Sequence, residues 1–161
     1  MSEYVNFYRG ESTTPLGSFT FDDVINFDDK KLEKEHGFVQ CVFPNPALSK
    51  MQPDAATQPF TEEAAQEMLR DPAIVARVRR MVKRMLEFWG MDTNGDADVS
   101  IGNAQRFNAK LRRANHNQLR MTRMLIFLRS MGWTELMDSV KAVLAENVPK
   151  KMKAMRFWME A

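Results

Sequence analysis

The sequence predicts an all-α fold: a single compact domain over residues 1–161, built from six or seven helices, with an irregular N-terminal arm (1–18) and a long Pro-rich connection (44–60). Three observations predict it. Apolar residues recur at spacings of three and four along most of the chain. The recurrences start at residues that cap helices and stop at Gly or Pro. Only one apolar run, His36 to Pro44, has the length of a strand, and no second run exists to pair with it. An unpaired strand would leave its backbone groups unsatisfied, so this run is expected to be a buried helical turn.

The clearest element lies between Asp71 and Gly90. Asp71 suits a cap, Pro72 the first turn, and Gly90 a left-handed stop. Ile74, Val75, Val78, Met81, Val82, Met85, Leu86 and Trp89 form one wide stripe, with Arg77, Arg79, Arg80, Lys83 and Arg84 opposite. A stripe so broad needs other helices upon it.

Before it, residues 1–18 have aromatics but no period, and read as an arm whose Tyr4, Phe7 and Tyr8 dock on the body. A helix is expected from Thr20 to His36, with Asp22 and Asp23 in its first turn favoured by the helix dipole. Pro44, Pro46, Pro53 and Pro59 make 44–60 a connection. Thr61 caps a short helix that runs to about Arg70.

After it, residues 91–102 read as a polar loop. Asn103 starts the next helix, and Asn115-His116-Asn117 marks a cap or break. The dense apolar set Leu119, Met121, Met124, Leu125, Ile126, Phe127, Leu128 and Met131 predicts a mostly buried helix ended by Gly132. Thr134 is expected to cap another, interrupted by Pro149. The last stretch, 150–161, mixes Lys150, Lys151, Lys153 and Arg156 with Met152, Met155, Phe157, Trp158 and Met159, and reads as a basic amphipathic tail helix.

Composition narrows the function classes. A chain of this length buries about 70% of its unfolded surface without a disulfide or a metal. Cys41 is the one cysteine, which fits a reducing compartment. No signal peptide and no uncharged run of membrane-spanning length is visible. The expectation is an intracellular soluble protein, cytoplasmic, or nuclear in a eukaryote. The net charge of +2 hides an asymmetry: residues 1–71 carry 6 Lys/Arg against 13 Asp/Glu, and residues 72–161 carry 17 against 8. Either the halves neutralise each other or the basic half meets an anionic partner.

Two runs resemble a known family. Lys31-Leu32-Glu33-Lys34-Glu35-His36-Gly37-Phe38-Val39-Gln40-Cys41-Val42-Phe43-Pro44 resembles the His-Gly-aromatic, Gln, Phe-Pro signature of the opioid growth factor receptor conserved region. His116-Asn117-Gln118-Leu119-Arg120-Met121-Thr122-Arg123-Met124-Leu125 is similar to its second block, and Leu86-Glu87-Phe88-Trp89-Gly90 to the segment between them. Cys41 stands where members tend to carry Trp, and Gln118 where they carry a second Asn. The resemblance implies a helical interaction module with no catalytic residue; in animals the family binds methionine-enkephalin and restrains growth at the nucleus.

The resulting expectation is a non-enzymatic module that binds a peptide or protein segment through Gln40, Phe43, Asn117, Arg120 and Arg123. Arg120 and Arg123 read either as partners of acids such as Asp28, Asp29, Glu33 or Glu35, or as a cationic groove for a carboxylate or phosphate. Nucleic acid is the alternative partner, through Arg77, Arg80, Arg84, Arg112 and Arg113. An unrecognised enzyme is the third reading, but no nucleophile elbow, phosphate loop or HExxH element appears. No cofactor and no metal is expected. Asp92-Thr93-Asn94-Gly95-Asp96-Ala97-Asp98 opens like a calcium loop, yet Ala97 replaces the turn Gly and Asn103 the bidentate Glu. His36 reads as a helix-end residue and His116 as part of a cap.

Overall fold

The computed structural model describes residues 2–15, 17–47 and 58–161. Among them are ten helices and one two-stranded sheet, in two compact units, Met1–Val82 and Lys83–Ala161. The fold is predominantly helical, and no helix is long and apolar enough to cross a membrane among the described residues.

The first unit opens with α1 (Glu3–Arg9), where an irregular arm was expected. Ser2 accepts from the Tyr4 amide, and Gly10 closes the helix at φ 82°. Tyr4, Val5, Phe7 and Tyr8 are buried. Two turns are too few for periodicity to declare a helix; packing of those rings holds it instead. The Tyr8 hydroxyl donates to the Val42 carbonyl at 2.6 Å, and that of Tyr4 to the Gln58 carbonyl.

The expected Thr20–His36 helix is two helices, α2 (Phe21–Ile25) and α3 (Asp29–Lys34). Thr20 and Asp23 close a capping box. The break follows from competing side chains. Asn26 Nδ2 donates to the Asp22 carbonyl at 2.8 Å, and Asp28 accepts from the Lys31 amide at 2.8 Å, starting a new helix. The run before Pro44 is helical as anticipated, α4 (Val39–Val42), with all four residues buried.

Of the Pro-rich connection, residues 48–57 lie outside the described residues. Its two ends meet, since the Phe60 amide donates to the Asn45 carbonyl at 2.8 Å. Thr61 caps α5 (Glu62–Leu69), which packs on α1. Helix α6 (Pro72–Phe88) starts in the first unit and ends in the second. Asp71 Oδ1 accepts from the Ala73 amide at 3.0 Å. The anticipated stripe is buried along its length except Val75, which is half-buried.

In the second unit residues 91–101 form a hairpin rather than a polar loop. β1 (Met91–Asn94) and β2 (Asp98–Ile101) pair antiparallel, Met91 opposite Ile101 and Asn94 opposite Asp98. Asn94-Gly95 is the turn signal: Gly95 takes φ 70°, which a tight hairpin needs. The alternation of oxygen-bearing residues that imitates a calcium loop is the pleat of a strand, with a period of two. The hairpin packs on α9 (Thr134–Asn147), where the Val99 amide donates to Ser139 Oγ at 2.9 Å.

α7 (Ala104–Leu111) and α8 (His116–Ser130) follow, and α10 (Lys153–Glu160) packs on α8 and α9. Asn103 caps α7 and Asn115 caps α8 by accepting from Arg106 and Asn117 amides. Thr134 is the first residue of α9 and makes no cap; Trp133 precedes it. Lys141 Nζ donates to the Met159 and Ala161 carbonyls at 3.3 and 2.9 Å, tying the end of α10 to α9.

Candidate functional site

The residues singled out from the sequence divide between the units. In the first, Gln40 and Phe43 are buried at and just after α4. Neighbouring Cys41 is buried too, and burial, reinforced by the charge of Glu3, pushes its thiol far above the ordinary range. Burial likewise raises Tyr8, with Cys41 beside it as a second cause. A thiol held protonated in this way is a packing residue, not a nucleophile.

In the second unit, Asn117, Arg120 and Arg123 lie on α8. Asn117 is 1% exposed, and its Oδ1 accepts from the Trp89 indole at 3.2 Å. Arg120 is buried and Arg123 half-buried. The surrounding bonds form a joint between α7 and α8. Asn115 Nδ2 donates to the Lys110 and Arg113 carbonyls at 3.0 and 2.9 Å, while its Oδ1 accepts from the Asn117 amide at 2.7 Å. Gln118 Nε2 donates to the Leu111 carbonyl at 2.9 Å. Carbonyls left over at the end of α7 thus receive side-chain donors, as a buried helix end requires. The Gln118 carbonyl accepts from the Trp158 indole at 3.1 Å, which brings α10 onto the same joint.

The basic residues divide as well. Arg77 donates to the Tyr8 carbonyl at 2.8 Å, and its guanidinium and that of Arg80 lie 5.9 and 5.8 Å from the centre of the Phe21 ring. Both are held against the first unit. In the second unit Arg84 is half-buried, Arg106 donates to the Glu87 carbonyl at 3.0 Å, and Lys110 stands 4.2 Å from the centre of the Phe88 ring. Arg112 and Arg113 are exposed and line an open concavity of about 480 Å³ with Gln105, Asn108 and Ala109.

Sequence reasoning missed one feature of this region. Leu119, expected inside, is 60% exposed, and Phe157 on α10 is 49% exposed. The signal was present: Leu119 shares the α8 face of Thr122, Arg123 and Ile126, spaced i, i+3, i+4 and i+7, and all three of those are half-buried. The deeply buried stripe runs instead through Gln118, Met121, Leu125 and Leu128.

Comparison with known proteins agrees with the motifs. The opioid growth factor receptor conserved region matches residues 2–157. The human opioid growth factor receptor is 29% identical over 134 residues, covering 80% of this chain and 19% of that protein. Rat opioid growth factor receptor-like protein 1 is 27% identical over 149 residues, covering 88% of this chain and 31% of that protein. The chain therefore spans about a fifth to a third of these relatives' length. No solved structure matches it. With both signature blocks present in order and a match over nearly its whole length, the chain belongs to the opioid growth factor receptor conserved-region family.

Proposed function

We propose that this chain is a non-enzymatic interaction module that binds a peptide or protein segment. Family membership carries the reading, because relatives are named as a receptor and a receptor-like protein. The chemistry of the polar interior supports it: Cys41 and Tyr8 are held protonated, and Asn117 and Gln118 are engaged with tryptophan and backbone. Of the five residues expected to bind, Gln40, Phe43, Asn117 and Arg120 are buried, and only Arg123 is open to a ligand. Arg123, half open to solvent, makes the direct contact; the four buried residues hold their helices in place. The reading carries with it an intracellular location, cytoplasmic or nuclear.

The test is a titration of isotope-labelled protein with methionine-enkephalin, the peptide the family resemblance implies, and with peptides selected on the folded chain from a random library. Saturable amide shifts that Arg123→Ala weakens, with the helical circular dichroism retained, are expected. Failure of the library to enrich any sequence, with no saturation by the enkephalin, would refute the module reading.

Nucleic acid through Arg77, Arg80, Arg84, Arg112 and Arg113 is the competing proposal. The favouring observation is compositional: residues 99–134 hold seven Lys/Arg and no Asp/Glu. The attachment of Arg77 and Arg80 to Phe21 counts against it. It predicts an affinity that falls steeply with salt, and a gel shift at low salt that shows no retardation of duplex or single strand removes it.

A further inference from the structure

We infer that the corner where α7 ends, α8 begins and α10 docks is the surface that takes the partner, and that the partner is a protein segment combining acidic with large apolar side chains. This deepens the reading of the chain as a peptide-binding module and rests on it.

Three observations place the pieces together. Gln118 donates to the Leu111 carbonyl, so Arg112 and Arg113, next in the chain, stand at the start of α8. The Gln118 carbonyl accepts from both the Thr122 hydroxyl, at 3.2 Å, and the Trp158 indole. Thr122 lies one turn from Leu119 on the same helix face, so Trp158 docks beside that face, and the exposed Phe157 is its neighbour on α10. Four exposed side chains therefore share one corner: Arg112, Arg113, Leu119 and Phe157.

The exposed apolar pair is the unusual part. Leu119 and Phe157 are the two most exposed large hydrophobic residues of the described chain. Solvating them forgoes the burial that apolar side chains of this size ordinarily gain, and apolar patches rimmed by polar groups mark interaction sites.

The rim fixes the sign of the partner. Neither Arg112 nor Arg113 has an ion pair or side-chain hydrogen bond among the described residues, and no carboxylate occurs anywhere from Val99 to Thr134. Two open guanidinium groups beside an apolar pair match carboxylates flanking leucine- or phenylalanine-sized anchors. A phosphate track fits less well, because Arg106 and Lys110, the other cations of α7, are turned onto Glu87 and Phe88. A membrane surface fits less well, because the short α10 spends Met155 and Trp158 on the interior.

The probe is a fluorescein-labelled synthetic peptide of glutamate and leucine residues in amphipathic order, followed by anisotropy and by amide shifts. It should bind, with shifts concentrated at Arg112, Arg113, Leu119 and Phe157. Leu119→Ser with Phe157→Ser should weaken it about tenfold or more. Arg112→Gln with Arg113→Gln should weaken it about tenfold at low salt and flatten the salt dependence. All four positions are exposed, and unchanged melting curves certify the variants. Equal binding by a glutamine-for-glutamate peptide, indifference to either double variant, or no binding overturns the inference. So does a shift of the same four residues by phosphatidylserine vesicles or polyuridylate while the peptide leaves them unmoved. If library-selected peptides bind elsewhere, only this surface assignment fails; if none binds, the module reading fails with it.

Discussion

Replacing Gly90 by alanine tests whether the second unit is built around the turn that follows α6. Gly90 has φ 86°, and a methyl placed there comes within 2.5 Å of both the Asn103 carbonyl oxygen and the Phe107 amide nitrogen, and 3.0 Å of the Phe107 Cα. All three are backbone atoms at the start of α7 and cannot swing aside. The Gly90 carbonyl also accepts from the Gly102 and Asn103 amides, each at 3.0 Å. The left-handed conformation alone costs an alanine about 1–2 kcal/mol. Moving α7 by the better part of an ångström sacrifices the two bonds, at about 1 kcal/mol each. The total is roughly 3–4 kcal/mol, a large share of the ~5–15 kcal/mol by which domains are stable. It corresponds to a melting temperature lower by roughly 10 °C. Gly95→Ala is the control: its φ is 70°, but nothing lies within 4 Å of the added methyl, so only the conformational cost of about 1–2 kcal/mol applies. Urea denaturation followed by far-UV circular dichroism measures both. A Gly90→Ala loss no larger than that of Gly95→Ala would refute the close approach of α7 to the turn.

Three further outcomes follow from the interior. Asn117→Leu keeps the volume but strands the Trp89 indole N–H, and should cost about 1–3 kcal/mol in urea denaturation, with an altered Trp89 emission; a neutral result would place Trp89 in water. Trp158→Phe removes the donor to the Gln118 carbonyl and leaves a void, and should cost about 2–4 kcal/mol, while preserving the helical dichroism of α8. Stability should fall at alkaline pH. Cys41 and Tyr8 ionise at 9.0 and 10.0 in ordinary surroundings, and the fold raises both. Their contribution is complete below about pH 9, where both states keep their protons. Above it the unfolded chain releases protons that the fold retains, so stability drops by about 1.4 kcal/mol per pH unit for each group. Cys41→Ser should remove the part of the slope that starts near 9, and native Cys41 should resist aromatic disulfide reagents at neutral pH; rapid labelling of the folded protein would contradict its burial.

How much was legible depends on how locally each element is determined. The α6 stripe was readable because one helix buries one face over its length, and its caps sit where capping chemistry puts them. Thr20, Thr61, Asn103 and Asn115 likewise act within three residues of themselves. The helix α1 was not readable, because seven residues hold no period and the rings that stabilise it are partnered from α2 and α4. The hairpin was overlooked for another reason. Asn94-Gly95 is a strong turn signal, but its strands are polar on exposed positions, and Met91 alone among them is deeply buried. The candidate site was the least legible part. Residue type marked Asn117 and Arg120 as polar and therefore accessible, whereas the fold uses them inside.

That inversion bears on what the family motifs encode. The run Leu86–Gly90 and the run His116–Leu125 meet within the second unit: Trp89 of one donates to Asn117 of the other, Gly90 admits α7, and Gln118 receives Trp158 while holding the end of α7. These are bonds to indoles and backbone, made by buried side chains, so the motifs specify a joint between helices. A partner, by contrast, touches only exposed atoms. Leu119 lies inside the second motif, yet its face is the half-open one, and Arg112, Arg113 and Phe157 lie outside both motifs. Exchanging these four residues should therefore alter what is bound without disturbing the fold, while exchanging Asn117 or Gly90 should disturb the fold whatever is bound.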